Sequence, residues 1–194
     1  MYIIINLNNV YIAFDLKVLA IAKTITGESN ESAAVVEFRK LLKEQKQFYN
    51  KAPFPRNESN ATAYKMCSDA KSAEKDCPKR WEALLEWIKS CRQTMSMLAP
   101  KLIPLFYHTG SKITVPNCPL EMLPSFNPSA GAQFFMNSGA NCKKPAYFGL
   151  PFFLENFGPR FSEWSVTAHE GWPGHHTQIE GKIEIESEVK CEVK

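Results

Sequence analysis

Residues 169–176 read His-Glu-Gly-Trp-Pro-Gly-His-His, and this octapeptide holds three of the chain's four histidines. Imidazole and carboxylate groups are the donors that zinc takes in hydrolases. Many such enzymes carry His-Glu-x-x-His on a helix, where the i, i+4 step puts both rings on one face and the glutamate serves as base. Here the residue four after His169 is Pro173. On a regular helix His175 would point about 240° away from His169, and His176 would share its face but lie roughly 10 Å further along. Proline has no N–H and clashes with the carbonyl four residues back, so Pro173 is expected to open the helix at His169. Gly174 can then take the backbone angles of a loop or bulge. Pro-Gly therefore reads as a two-residue insertion into a His-Glu-x-x-His site. It re-aims His175, or alternatively His176, at the metal that His169 binds, with Glu170 as the general base. The competing reading is a plain Pro-Gly turn that ends a helix.

The wider stretch Phe-Ser-Glu-Trp-Ser-Val-Thr-Ala-His-Glu-Gly-Trp-Pro-Gly-His-His-Thr-Gln, residues 161–178, resembles the signature of the domain of unknown function 885 family. The run from Pro124 to Pro151, with Pro-Ser-Phe-Asn-Pro and Pro-Ala-Tyr-Phe-Gly, is similar to the segment that precedes that signature. The likeness covers about residues 17–181. It implies a zincin-like metallopeptidase, with His169 and His175 as zinc ligands, Glu170 as the catalytic carboxylate and a peptide as substrate. It further implies a downstream acidic ligand in a segment resembling Glu-Gly-Trp-Ala, which this sequence lacks. A catalytic zinc takes three protein ligands, so the chain reads as a truncated member, weakly active or inactive alone. Glu180, Glu184, Glu186 and Glu188 are the acids nearest to hand as substitutes. The alternative is a secreted, non-catalytic binding or regulatory protein that keeps the fold.

Composition narrows the other classes. At 194 residues and 44% hydrophobic the chain has enough apolar material for a core. Its net charge of +3 comes from lysines scattered among glutamates, so nucleic acid is not an expected partner. Sequons at Asn30, Asn57 and Asn60, with six cysteines, point to an extracellular or lumenal setting. Cys67 with Cys77 and Cys118 with Cys142 are the local pairs expected first, and full oxidation would pair all six. Residues 1–16 are apolar at first but lack a basic start, so they read neither as a clear signal peptide nor as a membrane span.

The elements that must hold the site are expected to be mainly helical, an α+β fragment with a few short strands. Residues 31–49 read as one long helix, residues 59–76 as a second, exposed one, and Pro78 as the start of a third that Pro100 interrupts. Residues 108–141 read as loops and short strands, with 132–136 the candidate edge strand for a peptide. His108 stands alone and reads as a packing residue. The site helix is expected over 159–172, buried through Phe161, Trp164, Val166 and Ala168, with Glu163 solvated. Residues 182–194 read as a tail outside the family-like domain.

Overall fold

The computed structural model describes residues 7–58, 62–105, 108–109, 112–113, 118–139 and 143–182. They fall into two compact units, Met1–Gln47 and Phe48–Lys194.

In the first unit α1 (Leu7–Thr26) packs on α2 (Glu31–Lys43). Gly27 ends α1 at φ 73°, and its N–H returns to the Lys23 carbonyl at 2.9 Å. That left-handed angle is one glycine takes without the strain a Cβ brings. Asn30 then opens α2, its side-chain oxygen accepting the Ala33 N–H at 3.0 Å. The long helix expected over 31–49 stops at Lys43. Gln47 bends back to donate to the Leu41 carbonyl at 3.2 Å, so the last turn is satisfied without continuing the helix.

The second unit begins with single turns α3 (Arg56–Glu58) and α4 (Tyr64–Met66), followed by α5 (Ala70–Asp76). The helix expected over 59–76 is thus divided. Asp69 explains the division: its carboxylate accepts the Ser72 N–H at 2.8 Å and Ser72 Oγ accepts the Asp69 N–H, a capping box that starts a new helix. A disulfide joins Cys67 to Cys77 across α5. Pro78 opens α6 (Pro78–Leu102), which continues through Pro100 instead of breaking there. Cys91, buried on α6, is a free thiol, so the six cysteines do not all pair. Cys118 is oxidised; Cys142, its expected partner, lies outside the described residues.

Strands β1 (His108–Thr109) and β2 (Lys112–Ile113) form a small antiparallel pair. The larger sheet has the order β3 (Leu120–Ser125), β5 (Ala146–Pro151), β4 (Phe134–Met136), with β3 parallel and β4 antiparallel to the central strand. Gly149 lies opposite Phe134, where a Cβ would come within 2.3 Å of the ring, so the pairing requires glycine. Between α6 and the sheet lies the core of this unit, built on Leu84, Trp87, Phe148, Leu150, Phe152 and Phe157. Trp87 stacks on Phe157 at 5.5 Å, and each buried side chain of this kind contributes about 1.5–3 kcal/mol. Arg80, also buried, donates to the Phe152 and Leu154 carbonyls and lies 3.7 Å over the Phe54 ring, which ties α6 to the loop after β5. The fold is mainly helical with a small sheet. Among the described residues no helix is long and apolar enough to cross a membrane.

Candidate metal centre

The site helix α7 spans Glu163–Glu170 after a single 3-10 turn at Arg160–Ser162, shorter than the 159–172 expected. Its orientation also corrects the expectation. Glu163, Thr167 and Glu170 recur at four- and three-residue steps and are the buried residues, while Phe161 and Trp164 are more than half exposed. The packing against α6 explains this, because Ser90 on α6 hydrogen-bonds Glu163 and so draws the polar stripe inward.

The last bond of α7 runs from the Gly171 N–H to the Thr167 carbonyl at 2.9 Å. Residues 171–174 form a turn, and a second helix occupies 175–182. An α-helix would need residue 173 to donate to the His169 carbonyl, and proline has no N–H to give. Gly174 closes the turn instead, donating to the Ala168 carbonyl at 2.9 Å. Its backbone lies so near His169 that a Cβ would sit 1.8 Å from the His169 carbonyl oxygen. The Trp172–Pro173 peptide is cis.

The turn brings His175 back over His169. Their ring centroids are 4.5 Å apart at an interplanar angle of 78°. His169 Nε2 lies 4.0 Å from Glu170 Oε1, and one ligand atom from each of His169, Glu170 and His175 lies within 4.8 Å of the others. His169 is open to solvent, with its side chain 65% exposed, whereas that of Glu170 is 11% exposed.

His176, the alternative ligand, is held elsewhere. It is fully buried, its Nδ1 accepts the Trp172 indole N–H at 2.7 Å, and its Nε2 lies 2.8 Å from the Cys118 carbonyl. An indole only donates, so Nδ1 accepts and Nε2 carries the proton and donates to the Cys118 carbonyl oxygen. Glu180 is likewise engaged: its oxygens accept the Ser138 N–H at 2.8 Å and the Ser138 hydroxyl at 2.5 Å. These two buried anchors fix the 175–182 helix against the chain just before β3 and just after β4. The sequence reading did not find them, since their partners lie 42 and 58 residues away. Glu184, Glu186 and Glu188 lie outside the described residues.

A family model described as a bacterial protein of unknown function (DUF885) matches residues 15–189. The chain belongs to this family. No curated protein and no solved structure matches it. In this DUF885 chain, Phe135 of β4 packs 6.3 Å from His175 and 6.1 Å from His176, centroid to centroid, so the short edge strand borders the paired imidazoles. Behind α7, Glu163 is buried rather than solvated, and one of its carboxylate oxygens has no hydrogen-bond partner. Desolvation pushes its pKa up to about 7. Burial likewise pushes the Cys91 thiol up to about 11, which removes it as a nucleophile at neutral pH. Of the sequons, Asn57 is exposed, Asn30 is an exposed helix cap, and Asn60 lies outside the described residues.

Proposed function

We propose that this DUF885 chain is a zinc-dependent peptidase-like hydrolase in which His169 and His175 hold the ion and Glu170 is the general base. The observation that carries this reading is the convergence of His169, Glu170 and His175 within 4.8 Å. Two donors on one tetrahedral zinc lie roughly 3.4 Å apart, and the exposed His169 ring and the half-buried His175 ring, within 4.8 Å at their ligand atoms, are near enough to share one ion. The donor chemistry fits as well, with imidazoles as ligands and a carboxylate beside them.

When bound, zinc supplies Lewis acidity, which lowers the pKa of water and polarises a carbonyl. Glu170, nearly enclosed and next to His169, takes the proton of the attacking water as its oxygen bonds to the peptide carbon. It then returns that proton to the amine nitrogen as the C–N bond breaks. The edge strand β4 gives an extended substrate a place to pair, and Phe135 packs against the ring of His175. The Trp172–His176–Cys118 chain of hydrogen bonds keeps His175 aimed by immobilising its neighbour. An extracellular or lumenal setting completes the reading, supported by the Cys67–Cys77 disulfide and the exposed Asn30 and Asn57.

Turnover of a mixed peptide library by the zinc-loaded chain tests the proposal. The expected result is weak cleavage, because two imidazoles fill only two of the three protein positions of a catalytic zinc, and Glu170→Gln abolishes it while zinc stays bound. Zinc bound without any turnover would favour the alternative, a non-catalytic binding protein on the same fold.

A further inference from the structure

A cavity of about 780 Å³ opens beside the turn that joins Glu170 to His175. Its volume lies in the range of sites that enclose small ligands or side chains. The cavity is lined by Met95 and Ala99 of α6, by Pro119 and Leu120 at the start of β3, and by Trp172 of the turn. Trp172, which lines the cavity, lies in the turn between Glu170 and His175. Gly171, which follows Glu170, packs so closely on Met95 that a Cβ there would fall 2.7 Å from the sulfur. The same methionine therefore touches the residue next to the base and lines the cavity.

Trp172 is preorganised. The Trp172 indole N–H is fixed on Nδ1 of the buried His176 at 2.7 Å, so the ring holds one orientation relative to the helix that carries His175. Among the described lining residues Arg92 and Glu121 are the charged ones, and Arg92 donates to the Met122 carbonyl at 3.0 Å. A lysine or aspartate side chain would meet at most the solvent-exposed Glu121 or Arg92, a screened pair that offsets little of the water it loses to the apolar walls. A leucine, methionine or phenylalanine side chain would bury its area against methionine, proline, leucine and indole.

We propose that this cavity is the specificity pocket of the candidate centre and accepts a large apolar side chain of a peptide substrate near the scissile bond. The assignment rests on the peptidase reading given above. Met95, Ala99 and Trp172 line it.

The test is titration calorimetry on the zinc-loaded Glu170→Gln chain with blocked tetrapeptides Ac-Ala-Ala-Xaa-Ala-amide, Xaa being Leu, Phe, Asp or Lys. The Leu and Phe peptides are expected to bind at least ~10-fold tighter than the Asp and Lys peptides, the discrimination typical of an apolar pocket. Ala99→Phe fills the cavity from α6 and is expected to erase that preference. Ser96→Phe, from an exposed position on the same helix, is a second filling variant that disturbs the core less, and circular dichroism identifies which variants keep the fold. Equal affinities for all four peptides, or a preference that survives in a folded filling variant, would overturn the pocket. Zinc content of the same samples separates the two ideas. An apolar preference in a chain that holds no zinc would keep the pocket while removing the metal centre, and bound zinc with no preference would do the reverse.

Discussion

The Trp172 indole can only donate, so the nitrogen it meets on His176 must accept, and the other ring nitrogen keeps the proton and donates a hydrogen bond to the Cys118 carbonyl. One of two adjacent histidines is thereby fixed as a neutral structural group, and the other is left to face His169. Trp172→Phe would strip the donor from a buried acceptor. The expected cost is about 1–3 kcal/mol in chemical denaturation, with weakened zinc binding as the ring anchor loosens. Glu163 offers a second test on a single residue. Its carboxyl has an ordinary pKa of 4.5 and is raised to about 7 by desolvation in the fold. An acid with a higher pKa folded than unfolded binds more protons in the native state, so stability falls as pH rises between those values and is level above them. The chain is expected to melt lower at pH 8 than at pH 5.5. Glu163→Gln should shrink that difference by at least about 2–4 °C. Identical pH profiles for the two proteins would show that Glu163 is solvated after all.

At the scale of elements, the site depends on a helix that ends at Glu170 and a second that starts at His175. Gly174 is the residue that permits this, because its backbone rests on the His169 carbonyl where no Cβ fits. Gly174→Ala is expected to push the two histidines apart and to weaken zinc binding by about 10- to 100-fold, read by competition with a chromogenic chelator. Much of this was legible in the sequence, since proline's missing N–H acts on its own helix and needs no distant partner. Pro78 at the start of α6 was readable for the same reason. The orientation of α7 was not. Its buried stripe is Glu163, Thr167 and Glu170, drawn inward by Ser90, a partner 73 residues earlier that no local pattern announces. Strand β5 was missed because Ala-Tyr-Phe-Gly-Leu-Pro is buried along nearly its whole length and shows no alternation to mark it. The capping box at Asp69 was written in the sequence, but the polar stretch around it hid the start of a new helix.

Across the whole molecule, the second unit carries both the disulfide and the candidate centre, joined through α6 and the aromatic core. Closing the loop between Cys67 and Cys77, ten residues apart, is worth about 2.5–3 kcal/mol by the chain-entropy account. Cys67→Ser with Cys77→Ser is expected to lower the unfolding free energy by that amount in chemical denaturation and to leave zinc affinity nearly unchanged, because α5 carries none of the ligands. Expressed through a secretory pathway, the chain should carry glycan on Asn57, and bare asparagines by mass spectrometry would argue against the extracellular reading. The central claim is that His169 and His175, brought together by the turn between two helices, hold one zinc with Glu170 beside it as base. It is tested most directly by isothermal titration of zinc into the wild-type, His169→Ala, His175→Ala and Glu170→Gln chains. One ion per wild-type chain, lost in both histidine variants and kept in Glu170→Gln, is the predicted result; zinc binding that survives either histidine substitution would contradict it.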